Sequence, residues 1–141
     1  MPLLDAKTRQ AVAAELADLK NPVKLVMFTQ TFECQYCAET RQLCEELADL
    51  SDQLSVEVCN FVTDQDKAEE YGIDKIPAIA VIGAKDYGVR FYGIPSGYEF
   101  MSLLDAIKTV SAGEVELMPE TMAFLSSLKE PLHIQVFITP T

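Results

Sequence analysis

Cations are scarce in this chain: 22 aspartates and glutamates face 11 lysines and arginines, and the formal net charge is -11. A surface of that sign repels phosphate backbones, so no nucleic-acid partner is expected. The acids are spread along the sequence, not gathered in a tail, which reads as an ordinary solvated surface. Long apolar runs are also missing. The opening segment "MPLLDAKTRQAVAAELADLK" carries charges throughout, unlike a signal peptide. No later run nears the roughly 20 apolar residues needed to cross a bilayer, so no membrane partner is expected. These absences point to a soluble, cytoplasmic protein whose thiols are kept reduced by default.

Metal ligands are few. Beyond one close pair of cysteines, only Cys44, Cys59 and His133 remain as soft ligands. A closed zinc site takes four, and no second Cys-x-x-Cys exists here, so no metal site is expected. Cys44 follows Cys37 by seven residues, about two helical turns, which is too far to share an ion or a disulfide with it. Cys44 and Cys59 read as buried, inert thiols. His133 reads as a satisfied or edge-exposed histidine in a strand.

What is present suits a packed domain. Apolar residues make up 49% of the 141 and charged residues 23%, enough for one core with a small addition. Ala6 to Leu19 has helical apolar spacing, with Asp5 as its cap and Asn21-Pro22 as its stop. Val23 to Phe28 is a short β-prone run. Ala38 to Leu50 is a helix and Ser55 to Val62 a second strand. "DQDKAEEYG" is a short helix ending at Gly72. "IDKIPAIAVIG" and "YGVRFYG" are two more strands, joined by a turn, and "IPSGYEFMSLLDAIKTV" is a last helix. Alternating elements with one hairpin predict an α/β fold with a mixed sheet.

Between the first strand and the second helix lies "FECQYC", with Cys34 and Cys37 two residues apart. Three readings compete: a redox couple, half of a metal site, or two buried neighbours. At a strand-to-helix turn a cysteine meets unpaired N–H groups and the positive end of a helix dipole, and both favour the nucleophilic thiolate. Two intervening residues let the sulfurs bond without unwinding the helix. Cys34 is then the exposed attacking thiol, and Cys37 the shielded one that resolves the mixed disulfide. The neighbouring carboxylate of Glu33 opposes a second negative charge, which predicts a couple nearer the reducing end of such pairs than the strongly oxidising one. Ile76-Pro77 opens a central strand with a residue that lacks a ladder donor. A trans proline marking a strand start is the plain reading. After a strand, a Cys-x-x-Cys and a helix, a cis bond is the better one. It would leave the N–H and C=O of Ile76 to an extended peptide, beside Tyr36.

The tail holds a repeat. "LKNPVKLVMF" from Leu19 and "LKEPLHIQVF" from Leu128 share Leu, Lys, Pro and Phe at matching places, each after a helical segment. Residues 1–112 are therefore expected to form one unit. Residues 113–141 are expected to supply the helix and strand that open a second, truncated unit.

Together these residues resemble the thioredoxin fold from about Ala6 to Val110. More narrowly they resemble the protein disulfide oxidoreductase family, glutaredoxin-like proteins with two tandem thioredoxin units. "CQYC" at Cys34–Cys37, "IPAIAV" at Ile76–Val81 and "FYGIPSGYEF" at Phe91–Phe100 carry the likeness. The terminal "VFITPT" is similar to that family's run into its second Cys-x-x-Cys. The resemblance implies a redox pair at Cys34 and Cys37, a cis Pro77, and reduction, oxidation or isomerisation of protein disulfides. It also implies electrons from a flavoprotein thioredoxin reductase in some members. The buried acid that thioredoxins place six residues before the first cysteine is Phe28 here, so Glu57 on the neighbouring strand is the candidate proton relay. The Gly-Gly that binds glutathione in glutaredoxins is absent before the last helix. The expected function is thiol–disulfide exchange with protein substrates, needing no cofactor beyond the cysteine pair. The alternatives are an electron-relay domain of a peroxide-detoxifying flavoprotein system and a non-catalytic thioredoxin-fold interaction module.

Overall fold

Apolar, β-branched Val23–Thr29 forms β1, buried on both faces except at Lys24 and Thr29, as a central strand must be. In the computed structural model, which describes residues 1–139, β1 pairs in parallel with β2, Leu54–Asn60, and antiparallel with β3, Ala78–Ile82. β3 pairs antiparallel with β4, Asp86–Tyr92, giving a mixed four-stranded sheet in the order β2-β1-β3-β4. Helices α1 (Ala6–Leu16), α2 (Cys37–Ala48), α3 (Gln65–Glu70) and α4 (Tyr98–Ala112) alternate with the strands as the sequence predicts.

The pleat sends alternate β1 residues to opposite sides. Leu25 and Met27 meet Val12 and Leu16 of α1, Leu43, Cys44 and Leu47 of α2, and Leu103 and Ile107 of α4. Val26 and Phe28 face the other way, onto Cys59, Ala68, Ile73, Ala78 and Ala80 under α3. The two cysteines outside the pair are thus both buried. Burial, aided by the Glu45 charge, pushes the Cys44 thiol up to about 12, so it stays protonated.

Local chemistry sets the element ends. Asp5 accepts the Thr8 N–H at 2.7 Å and caps α1. β2 stops at Asn60, two residues early, because the Asn60 side chain accepts the N–H groups of Val62 and Thr63 at 2.9 and 3.0 Å and turns the chain. Ser111, buried at the end of α4, exchanges three hydrogen bonds of 2.8–3.0 Å with Asn21. They fix α4 to the entry of β1.

The tail departs from expectation. Helix α5, Pro119–Ser126, forms, but no strand follows it: residues 128–139 have no regular structure and are exposed. A strand exists only where a neighbour takes its N–H and C=O groups, and no sheet edge pairs with this run. His133 accordingly lies on an exposed segment, not in a strand. Residues 137–139 lie by the first turn of α4, where Phe137, Ile138 and Thr139 line a cavity of about 560 Å3 with Tyr98, Glu99 and Ser102. Pro140 and Thr141, the last residues of "VFITPT", lie outside the described residues.

Candidate active site: a cysteine pair where β1 hands over to α2

β1 ends at Thr29 and α2 begins at Cys37. Between them the chain turns sharply at Glu33, the one non-glycine residue with positive φ (55°) among those described, a conformation that costs a side-chain-bearing residue about 1 kcal/mol or more. The turn lifts Cys34 onto the rim, half-buried, while Cys37 is sealed at 1% exposure. A disulfide joins them across a Cα–Cα distance of 5.5 Å. Around them Phe32 is 80% and Tyr36 44% exposed, an apolar rim at a surface of mostly polar residues.

Thr40 was not legible as part of this site. Its side chain is fully buried, and the Tyr36 carbonyl accepts both its Oγ1–H at 2.7 Å and its N–H at 2.9 Å. The signal was present: a threonine four residues after the first cap position can bond back one turn.

Phe28 pairs with Ala78, so Pro77 stands at the end of the sheet from which the cysteine loop leaves. The Ile76–Pro77 peptide is cis, and Pro77 is buried. The Pro77 carbonyl accepts the N–H of Gly93 at 2.9 Å, tying this loop to the one before α4. The backbone N–H and C=O of Ile76 make no hydrogen bond among the described residues, while its side chain packs against the cluster that holds Phe28.

Glu57 is not brought to the pair. It pairs in register with Val26, mid-strand. Its Oε2 lies 3.8 Å from Lys24 Nζ and 3.9 Å from the Cys59 thiol. Burial first, then the charges of Glu57 and Asp64, raise the Cys59 thiol. Among the described residues no three His, Cys, Asp or Glu side chains are placed to share a metal ion. No described helix is long and apolar enough to cross a membrane.

Residues 23–105 match the thioredoxin domain family. A probable thioredoxin of Methanothermobacter thermautotrophicus is 33% identical over 84 residues, which are 59% of this chain and 93% of that protein. The crystal structure of a protein disulfide oxidoreductase from Aeropyrum pernix superposes with a TM-score of 0.82 at 28% identity, over 92% of this chain and 57% of that one. The NTD_N/C domain of alkylhydroperoxide reductase AhpF from Enterococcus faecalis superposes with a TM-score of 0.75 at 27% identity, over 85% and 58%. The chain therefore spans nearly the whole of the small thioredoxin but little more than half of the two structural relatives. A mixed sheet in this strand order, carrying a Cys-x-x-Cys disulfide at its central strand-to-helix turn, places the chain in the thioredoxin-domain family, among the disulfide oxidoreductases of thioredoxin fold.

Proposed function

We propose that this protein exchanges disulfides with protein substrates through Cys34 and Cys37. The observation that carries the reading is an accessible sulfur bonded to a sealed one, at the same end of the sheet as the unpaired main chain of Ile76. In the reduced protein the Cys34 thiolate attacks one sulfur of a substrate disulfide. That bond breaks, a Cys34–substrate disulfide forms, and the released substrate thiolate takes, through water, the proton that Cys37 gives up. The Cys37 thiolate then attacks Cys34 Sγ, closes the Cys34–Cys37 disulfide and expels the second substrate thiolate. Two electrons pass from protein to substrate; run backwards, the same steps oxidise a dithiol. The pair itself stores both electrons, so the cycle needs no bound cofactor. Ile76, next to Pro77, would hold the substrate backbone by β-type hydrogen bonds, and Tyr36 would cover it. A reducing compartment such as the cytoplasm would return the pair to the dithiol, with a flavoprotein thioredoxin reductase as electron donor.

The test is reduction of insulin with dithiothreitol as recycling reductant. Cys34→Ser should abolish turnover, and pre-reduced Cys37→Ser, mixed with insulin after the dithiothreitol is removed, should accumulate the mixed disulfide as a covalent adduct. Equal rates for the parent and Cys34→Ser would leave a non-catalytic docking module. Likeness to the alkylhydroperoxide reductase domain supports a second reading, in which the same chemistry relays electrons inside a peroxide-detoxifying flavoprotein system. Rapid reduction of the pair by such a flavoprotein, with slow reduction of insulin, would favour it.

Residues 113–141 we read as the opening of a second unit. Phe124, Leu132, Ile134 and Phe137 are exposed, and apolar faces of this kind call for another packed layer.

A further inference from the structure

A cavity of about 450 Å3 opens beside Cys34, towards β2 and the start of α3. Thr29, Thr31, Arg41, Asn60 and Asp64 line it together with Cys34. The balance of donors and acceptors on this wall is uneven. Arg41, one turn beyond Cys37 on α2, spends Nε on Glu45 Oε1 at 2.8 Å. Its Nη1 and Nη2 donate no hydrogen bond among the described residues. Asn60 spends Oδ1 on the N–H groups of Val62 and Thr63, and its Nδ2 is left over. The hydroxyls of Thr29 and Thr31 have no partner among the described residues either. The one acid on the wall, Asp64, accepts the Asn60 N–H through Oδ2 at 2.7 Å and keeps Oδ1 open among the described residues. In a chain of net charge -11, a donor-rich groove with an open guanidinium edge beside the redox sulfur is the exception.

We propose that this groove is a substrate subsite that takes an acidic residue flanking the target cysteine, with Arg41 holding its carboxylate. The proposal rests on the reading of Cys34 as the attacking sulfur and adds to it a preference among substrates. The bond to Glu45 fixes the guanidinium plane, so the paired Nη groups present the forked geometry that suits a carboxylate. Glu33 and Glu39 are exposed near the pair but do not line the groove. They repel an acidic side chain from that part of the rim, and in the groove Asp64 is the one charge that opposes it, set against Arg41. Arg41 has half its side chain in solvent, so the preference is modest.

The test uses two synthetic hexapeptides with an internal disulfide, identical except for glutamate or glutamine beside the cysteines. The intact chain should reduce the glutamate peptide with a kcat/KM roughly three- to tenfold higher at low salt. In Arg41→Gln that ratio should fall to about one, and Arg41→Lys should lie between. A ratio of one in the parent, or an unchanged ratio in Arg41→Gln, overturns the subsite. Fluorescence anisotropy of the same labelled peptides, in linear form with serine for cysteine, on the oxidised protein separates this from failure of the exchange reaction. If neither peptide is reduced but the glutamate form binds more tightly, and does so only with Arg41 present, the groove stands and the catalytic reading falls. Equal binding of both peptides removes the groove.

Discussion

The Thr40 side chain and backbone both bond the Tyr36 carbonyl, at 2.7 and 2.9 Å, with Thr40 fully buried three residues into α2 from Cys37. Thr40→Val keeps the shape and the backbone bond, so no buried acceptor is orphaned. We expect a loss of about 1 kcal/mol in urea unfolding. A loss above roughly 3 kcal/mol would mean that the hydroxyl also supports the turn itself.

The reduction potential should lie nearer the thioredoxin value of about -270 mV than the DsbA value of about -120 mV. Glu33 is exposed next to Cys34, and Glu33→Gln should move the couple in the oxidising direction by about 10–20 mV, the size of a screened charge effect. Equilibration with glutathione buffers reads it. No shift, or one in the reducing direction, would remove Glu33 from the argument.

Glu57 lies beside Lys24 and the Cys59 thiol, mid-strand. Glu57→Gln is therefore expected to change insulin-reduction turnover less than about twofold. A tenfold loss with an altered pH profile would restore it as the proton relay, since general acid–base groups contribute on the order of a hundredfold or more.

Glu46 and Asp86 are among the carboxylates held below their usual range and should contribute to the acid limb of stability. Burial works against ionisation of Glu46, but the N–H groups of Leu3 and Leu4, the Gln42 amide and the Arg9 charge prevail and hold it below the usual range. Asp86 is held low by its hydrogen bonds from Arg90, against burial. Folded values below unfolded ones mean that the stabilisation is complete above the unfolded value of roughly 4. It is lost as pH falls through the lower folded value. Thermal midpoints measured from pH 7 down to 2 should fall most steeply below about pH 4. Glu46→Gln and Asp86→Asn should each flatten that limb.

Gly83 sits where the β3–β4 turn meets the end of α4. A Cβ there would stand 2.7 Å from Val110 Cγ1 and 2.8 Å from the Val110 carbonyl oxygen. The oxygen belongs to helical backbone and has little room to retreat. Gly83→Ala should cost about 1–3 kcal/mol by overpacking, seen as a lower urea midpoint at unchanged slope. An unaltered midpoint would show that the turn moves freely.

Much of the fold is legible in the sequence itself. Apolar period and turn residues placed the alternation of helices and strands, and Gly72, with φ of +66°, closes α3 where left-handed backbone was expected. These are local properties, written in spacings of two and 3.6 residues. The cysteine pair was legible for the same reason: two sulfurs three positions apart at a strand-to-helix join are neighbours whatever the rest of the chain does.

Tertiary structure alone decided what depends on distant partners. "LKEPLHIQVF" repeats the pattern of β1 and is no strand here, because β character needs a neighbour's N–H and C=O groups and none is offered to it. Glu57 goes to Lys24 because parallel register sets it against Val26, mid-strand. The unpaired backbone of Ile76 and the Arg41 groove arise only once β1, β2, α2 and the loop before β3 come to one end of the sheet. Sequence spacing determines which side chains share a turn or a face; register and packing determine which of them share a site.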